Sequence, residues 1–361
     1  MSAAFASSVM LAEIRQQPDV LDRTLRQDLA EVVKIRKALV RRPPRYIMLA
    51  ARGTSDNAAT FGRYLLEIGT GIPVTLAAPS VFTLYGVSKF DFRDALVVGI
   101  SQSGESTDIN VVLEAAKAQG AMTVGITNEP DSVLARMAEH VFLVGAGKEK
   151  SVAATKTYSA QLLALYLLAH ALGAPIRIDD LRRLPAYAER ALKLEAQVTE
   201  LAQRYRFMEN AVVVGRGLNY ANAFEFALKM METCYVVAER FSSADFLHGP
   251  IAIVGAHFPA FVFAPPGVTW PSIKELLARL STAGAEMFVI TDKSNAEAGK
   301  VKGARGVTIP ASLAHKGPLP VEVYTPIPYI IPAQLFAAAL AREKGLDPDK
   351  PRGLSKVTRN L

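Results

Sequence analysis

Apolar residues in this chain fall into two recurrent arrangements. Tyr46–Ala50, Ile72–Ala77, Ala95–Ile100, Ala121–Ile126 and Val141–Val144 are continuous runs of strand length, and the stretches between them carry apolar positions three and four apart. After Ala95–Ile100, residues Ile109, Val112, Leu113 and Ala116 share one helical face, and after Tyr46–Ala50 a helical stretch runs through Leu66. Strands alternating with helices predict a parallel sheet covered on both faces, an α/β fold. Residues 1 to about 42 read as two helices broken near Pro18, the second carrying Leu21, Leu25, Leu29, Val32, Val33 and Ile35 and ended by Pro43 and Pro44. Beyond the first set of strands come an apolar helix, Tyr158–Leu172, a charged proline-bounded stretch, Pro175–Pro185, and a long connecting helix, Ala186–Tyr205.

The pattern then repeats. Ala211–Val214 leads into Gly215, Arg216 and Gly217 as Met48–Ala50 leads into Ala51, Arg52 and Gly53, and Gly284–Asp292 echoes Gly120–Asn128. The offsets agree, since 217 minus 53 and 284 minus 120 both give 164. A constant offset predicts a duplicated domain. The expected organisation is N-terminal helices over 1–42, a first α/β domain over 43–185, a second over 186–345 and a C-terminal tail over 346–361.

The two halves differ in chemistry. In the first, the apolar run ending at Ile100 meets Ser101, Gln102, Ser103, Gly104, Glu105, Ser106 and Thr107 before a helix. A strand, hydroxyl-rich turn and helix put backbone N–H groups and neutral hydroxyl donors where the helix dipole favours an anion, and phosphate suits such a turn. The same residues could instead form an ordinary cap, with Ser106 or Thr107 satisfying the first helical amides. Near the corresponding place the second half has Pro265, Pro266 and Gly267, so one domain is expected to hold the phosphate and the other to bring something else.

That contribution is read in the stretch Gly215–Pro250. On a helix starting near Ala221, the residues Phe224, Leu228, Met231 and Tyr235 read as the buried stripe, and Glu225, Lys229 and Glu232 as a polar stripe. An exposed Glu–Lys pair would account for the latter. Shortly after, His248 stands in Ser242–Pro250, closed by Gly249 and Pro250. A carboxylate and an imidazole are the parts needed to move a proton on a sugar. His140, His170, His257 and His315 lack such neighbourhoods and read as structural.

Composition narrows the alternatives. At 361 residues, half of them hydrophobic, the chain suits two domains with ample cores. The net charge of +7 could mark a nucleic-acid partner, but the basic run Arg36, Lys37, Arg41, Arg42, Arg45 has no interleaved aromatic residues and no DNA-binding spacing, so it reads as a solvated helix end. The first twenty residues lack a basic region and are interrupted by Glu13 and Arg15, so no secretory signal is expected. Leu162–Ala174 is too short to span a bilayer and includes His170, so no membrane segment is expected either. The single cysteine, Cys234, allows neither an internal disulfide framework nor a thiolate zinc cluster, which fits a reducing compartment, the cytoplasm. Ala146–Lys156 superficially suggests a P-loop but lacks its glycine and Lys-Ser/Thr spacing, so no nucleoside triphosphate is assigned. No metal or cofactor is expected.

With these stretches in place, the chain resembles the sugar isomerase (SIS) family, and within it the double-SIS enzymes of amino-sugar phosphates. The SQSG turn at Ser101–Gly104, the VAATK loop at Val152–Lys156, the segment Ser242–Pro250 and the end Pro348–Thr358 are similar to the isomerase half of glucosamine-6-phosphate synthase. They are more similar still to the stand-alone type II glucosamine-6-phosphate deaminases. The resemblance covers nearly the whole chain. It implies two tandem SIS domains, each a parallel sheet flanked by helices in a flavodoxin-like α-β-α sandwich, with no cofactor and a homodimeric assembly.

Residue by residue, the resemblance implies phosphate binding at Ser55, Ser101, Gln102, Ser103 and Ser106, and sugar contacts from the loop at Val152 and Ala154 and from Ser355. The proton-transfer base matches Glu232, Lys229 matches a lysine on the same helix, and the ring-opening histidine matches His248, contributed across the subunit interface. Lys356 matches a lysine in the C-terminal segment that covers the site. The synthase carries Ser and Ala at the positions of Ala154 and Ser355 and Thr at Ser106, so the sugar contacts need not be the same. With no N-terminal Cys nucleophile and Cys234 inside a helix, the chain is not expected to release ammonia from glutamine. The implied activity is conversion of glucosamine 6-phosphate and water to fructose 6-phosphate and ammonia. Alternatives are isomerisation or deglycation of another sugar phosphate, such as fructosamine or galactosamine 6-phosphate, or a non-catalytic sugar-phosphate sensor.

Overall fold

The computed structural model describes residues 8–86, 90–313 and 315–356. It contains ten strands: β1 (Tyr46–Ala50), β2 (Val74–Leu76), β3 (Ala95–Ile100), β4 (Met122–Thr127), β5 (His140–Leu143), β6 (Asn210–Gly215), β7 (Val237–Ser242), β8 (Pro259–Phe263), β9 (Glu286–Asp292) and β10 (Ala304–Ile309). The α-helices are α1 (Val9–Arg15), α2 (Gln17–Arg41), α3 (Thr54–Thr70), α4 (Pro79–Thr83), α5 (Thr107–Ala118), α6 (Val133–Met137), α7 (Lys156–Ala171) and α8 (Ile178–Leu181), then α9 (Leu184–Leu192), α10 (Glu195–Arg204), α11 (Tyr220–Cys234), α12 (Ser243–Leu247), α13 (Trp270–Thr282) and α14 (Pro326–Glu343).

The strands form two five-stranded sheets, ordered β2-β1-β3-β4-β5 and β10-β9-β8-β6-β7, with parallel pairing throughout. Read from β7, the second order repeats the first. The duplication extends to the strand starts: Tyr46 and Asn210, Ala95 and Pro259, Met122 and Glu286, and His140 and Ala304 are each 164 residues apart (210 minus 46, for the first). Each sheet therefore has its topological switch point between its two central early strands, where ligands of doubly wound sheets bind beyond the strands' C-terminal ends. In the first sheet that point lies between β1 and β3, in the second between β6 and β8.

The chain divides into two compact units. The first comprises Asp19–Glu149, Lys156–Arg182 and the chain from Ser355; the second comprises the chain up to Pro18, the six-residue excursion Lys150–Thr155 and Arg183–Leu354. In the first, Met48, Ala50 and Val97 of the sheet pack with Ile109, Val112, Leu113 and Ala116 of α5 and with Leu134. In the second, Val212, Val214, Ala260, Val262, Met287 and Val289 pack with Ile273, Leu276, Leu277 and Leu280 of α13. Both are apolar strand runs met by an apolar helical stripe, as buried parallel sheets require.

Three sequence expectations need adjustment. The N-terminal break falls at Gln16, and Pro18 sits in the first turn of α2, where a missing N–H costs nothing. The long helix expected over Ala186–Tyr205 is two helices, because Lys193 and Leu194 close 3₁₀-type bonds to Arg190 and Ala191. That turn lets Tyr187, Ala188 and Ala191 of α9 and Val198 and Ala202 of α10 all face inward, and both helices pack on α14. Finally, the C-terminal segment, which composition alone reads as frayed, is docked through Arg352. Asp349 accepts from the N–H groups of Val9 and Met10 at 2.7 Å each, and Arg352 donates its N–H to the Tyr235 hydroxyl at 2.8 Å. Residues 357–361 lie outside the described residues.

Candidate active site

In the first unit the turn after β3 is built around Gly104. Its φ is +63°, and an added Cβ would stand 2.1 Å from Ser132 Oγ, so only glycine fits. The Ser101 hydroxyl accepts from the Gly104 N–H at 3.1 Å, and the Gln102 carbonyl accepts from the Asn128 N–H and the Thr127 hydroxyl. Asn110 Nδ2 donates to the Gly104 carbonyl at 3.3 Å. The turn is thus fixed by its carbonyls and by Ser101. Among the described residues, the N–H groups of Gln102, Ser103 and Ser106 bond to nothing. Ser106 occupies the N-cap of α5 in extended conformation, yet its hydroxyl makes no cap hydrogen bond. The ordinary-cap interpretation therefore fails at Ser106, and the donors at this helix start remain available for an anion.

Ser55 lies in the first turn of α3, at the other side of the same switch point. It is buried, and its hydroxyl accepts from Gln161 Nε2 of α7 at 2.9 Å, which leaves the O–H free to donate elsewhere. Arg52 Nε and Nη2 donate to Asp108 Oδ2 at 3.0 and 2.7 Å, tying the turn after β1 to the first turn of α5. Beside them, burial pushes the Asp56 carboxyl above its usual range against the pull of Arg52. Gln161, Arg52 and Asp108 escaped the sequence reasoning. Arg52 stood in a turn already singled out, whereas Gln161 lies inside a helix read as apolar from Tyr158 to Leu172, which gives no hint of a polar task. Lys356 of the same unit has its Nζ 3.7 Å from Glu149 Oε2, a carboxylate with a fully buried side chain. Ser355 beside it is exposed.

The second unit corrects the assignment of faces on α11. Phe224, Leu228, Met231 and Tyr235 are only half-buried, while Glu225 and Lys229 have no solvent exposure. The helix turns Ala221, Ala223, Ala227 and the charged stripe inward, and α11 packs against α14. This is tolerable because the charges are paired: Lys229 Nζ donates to Glu232 Oε2 at 2.5 Å and lies 3.5 Å from Glu225 Oε1. Glu232 keeps 21% of its side chain exposed. Two carboxylates share one ammonium, and only the outer one reaches solvent. An exposed surface pair is excluded.

His248 caps the C-terminus of α12, is exposed, and its ring bonds to nothing among the described residues. Val152 is half-buried and Ala154 buried in the excursion Lys150–Thr155. The other histidines have structural partners where bonds are formed: His140 Nδ1 meets Glu31 Oε1 and His170 Nδ1 meets the Ile176 carbonyl, both at 2.7 Å.

The second sheet's own switch point already holds a carboxyl group. Glu322 Oε2 accepts from the Thr269 N–H and hydroxyl at 3.0 and 3.1 Å, just before α13. Gly267, at φ +116°, has no room for a Cβ, which would stand 2.7 Å from the same oxygen. Burial pushes this carboxyl up, with the Thr269 bonds pulling it down. The duplicated turn is thus filled by a side chain where the first unit's turn keeps its donors unspent. Among the described residues no three His, Cys, Asp or Glu side chains are placed to hold a metal ion, and no helix is long and apolar enough to cross a membrane.

Comparison with known proteins agrees with this architecture. Residues 42–171 and 207–314 match the family described as the SIS domain. The chain is 37% identical over 372 residues to an isomerizing glutamine–fructose-6-phosphate aminotransferase of Gloeobacter violaceus, an overlap of 96% of this chain and 58% of that protein. It therefore spans little more than half the length of that relative. The C-terminal domain of glucosamine-fructose-6-phosphate aminotransferase from Francisella tularensis superposes with a TM-score of 0.84 at 26% identity, covering 95% of this chain and 98% of that one. Glucosamine-6-phosphate deaminase from Thermotoga maritima shares the fold, with a TM-score of 0.77 at 22% identity and coverage of 98% and 100%.

Proposed function

Because the chain belongs to the SIS domain family, we propose that it is an amino-sugar phosphate deaminase, converting glucosamine 6-phosphate and water to fructose 6-phosphate and ammonia. The observation that carries this reading is the outer carboxylate of α11: Glu232, held at 2.5 Å by the buried Lys229 yet partly open to solvent. A base for a sugar carbon must be fixed and still reachable, and this arrangement meets both needs.

In the proposed reaction the phosphate is held by the unspent N–H groups of Gln102, Ser103 and Ser106 with the hydroxyls of Ser55, Ser101, Ser103 and Ser106. Fixing the phosphate fixes the sugar, which converts the proton transfer into an intramolecular problem. His248 of the partner subunit assists ring opening; exposure of this ring and its lack of hydrogen-bond partners among the described residues support that assignment. Glu232 removes the proton from C2, giving an enolamine whose O1 takes a proton from water, and returns its own proton to C1, leaving an iminium at C2. Water adds to C2, ammonia departs, and the C2 ketone of fructose 6-phosphate remains. Lys356 stabilises the charge developing at O1. Val152, Ala154 and Ser355 contact the sugar. Water, and not an amine donor, is the second reactant, in keeping with the motif resemblance to the stand-alone deaminases.

The substrate is tested by offering glucosamine, galactosamine and fructosamine 6-phosphates side by side and comparing kcat/KM. Preference for glucosamine 6-phosphate supports the reading. Preference for galactosamine 6-phosphate transfers the mechanism to that sugar. Preference for fructosamine 6-phosphate, whose amine is on C1, reverses the sense of the proton transfer and places the imine at C1, and turnover of none removes the catalytic assignment. The proposed assembly predicts an active dimer; a fully active monomer in sedimentation would contradict it.

A further inference from the structure

The excursion Lys150–Thr155 is the one place between β1 and α8 where the chain clusters with the second unit, and it has neither helix nor strand to hold it there. It is held by side chains. Glu13 of α1, only 3% exposed, accepts from the Lys150 N–H through Oε1 at 2.5 Å and from the Ser151 N–H through Oε2 at 3.1 Å. Two consecutive N–H groups gripping one carboxylate form a nest, and the charge-assisted bonds offset the cost of burying it. At the other end, Gln334 Nε2 of α14 donates to the Thr155 carbonyl at 3.3 Å, while Gln334 Oε1 accepts from Gln17 Nε2 at 2.8 Å. Gln17 Nε2 also donates to the Ile14 carbonyl at 3.1 Å, which closes the network back onto α1.

We infer that Glu13 is a positioning residue that sets the backbone of Val152–Ala154, the proposed sugar-contacting loop; this rests on the functional reading above. The clamp leaves three residues, Val152, Ala153 and Ala154, suspended between two fixed ends. Their placement is decided on α1, far away in sequence. The same short helix receives Asp349 at its N-terminus, with both carboxylate oxygens 2.7 Å from the Val9 and Met10 N–H groups. Thus α1 ties the C-terminal segment to the loop. A Gln at position 13 would keep one acceptor oxygen and present a donor to the other N–H. An Ala would release both.

The test compares the wild-type chain with Glu13→Ala and Glu13→Gln by two readouts. One is the KM for glucosamine 6-phosphate beside the inhibition constant of inorganic phosphate, which needs the turn but not the sugar loop. The other is the rate of tryptic cleavage after Lys148 and Lys150, both exposed. Glu13→Ala is expected to raise KM about tenfold or more, as loss of substrate positioning does, to leave the phosphate constant within about twofold, and to accelerate cleavage; Glu13→Gln falls between and serves if the alanine variant does not fold. A purely structural role would lower the active fraction, and with it kcat, without moving KM. Unchanged KM and unchanged cleavage overturn the inference, as does a parallel rise of KM and the phosphate constant. If the wild-type chain turns over no amino-sugar phosphate, the functional reading falls, and the cleavage rates alone then decide whether Glu13 holds the loop.

Discussion

Lys229 and Glu232 are joined at 2.5 Å on one helical turn, with the lysine wholly buried and the carboxylate partly exposed. Behind the lysine lies Glu225, also wholly buried, 3.5 Å away. Replacing Lys229 by Met leaves the buried Glu225 carboxyl without its ammonium. Such broken buried pairs cost about 3–5 kcal/mol. Urea unfolding should show that loss for Lys229→Met and partial recovery in the Lys229→Met, Glu225→Gln double variant. Equal stability of the single variant and the wild type would mean that the pair carries no structural load.

Glu232→Gln keeps the shape of the side chain and removes the base. Turnover of glucosamine 6-phosphate should fall by roughly a thousandfold, the scale of a lost general base, while calorimetric binding of the substrate changes little. Retained turnover would remove Glu232 from proton transfer.

The sequence carried much of this arrangement. The strands were legible as continuous apolar runs, and the duplication as a constant offset, because parallel sheets bury both faces and leave a simple signature. The turn from Ser101 to Ser106 was legible for the same reason, as a polar interruption between two apolar patterns. The faces of α11 were not. Patterning assigns charge to solvent, and nothing in the spacing of Glu225, Lys229 and Glu232 distinguishes an exposed ladder from a buried ion triad; only packing against α14 decides it. Glu13 and Gln161 were illegible too, since each acts on residues more than a hundred positions away. The excursion Lys150–Thr155 likewise follows from those long-range bonds.

Ser106 and Ser132 are both N-caps, and only Ser132 uses its hydroxyl as one, accepting from the Ala135 N–H. Ser132→Ala should therefore cost about 1 kcal/mol of stability, whereas Ser106→Ala should stay within about 0.5 kcal/mol of wild type. The ranking should invert for ligand affinity: Ser106→Ala is expected to weaken sugar-phosphate binding roughly tenfold, as loss of a hydrogen bond to a charged group does. A stability loss at Ser106 without an affinity loss would restore the plain capping role.

Asp28 of α2 is buried, with Oδ1 accepting from the Leu143 N–H at 3.2 Å and Oδ2 without a hydrogen-bond partner among the described residues. Burial pushes its carboxyl up to about 8; the Leu143 N–H pulls the other way, and neighbouring Glu31 adds to the rise. Glu31 itself is held below its usual range by Lys34 and His140 against its own burial. A raised folded-state value means that Asp28 favours folding while protonated: the contribution is full below about pH 4, fades from there as the carboxyl ionises in the unfolded chain, and is gone once pH has climbed through about 8. Asp28→Asn has no such dependence. Its stability relative to wild type should thus rise from pH 5 to about pH 8, by about 4 kcal/mol on the linkage scale of about 1.36 kcal/mol per pH unit, and then level off. Urea midpoints at pH 5, 7 and 9 check this, and parallel profiles would contradict it.

The most direct test of the central claim is a single stoichiometry. Purified protein is given glucosamine 6-phosphate and no glutamine, and ammonia and fructose 6-phosphate are followed together. The account predicts equal amounts of both, rising at the same rate and both slowed roughly a thousandfold by Glu232→Gln. Ammonia without fructose 6-phosphate, or neither product, would contradict it.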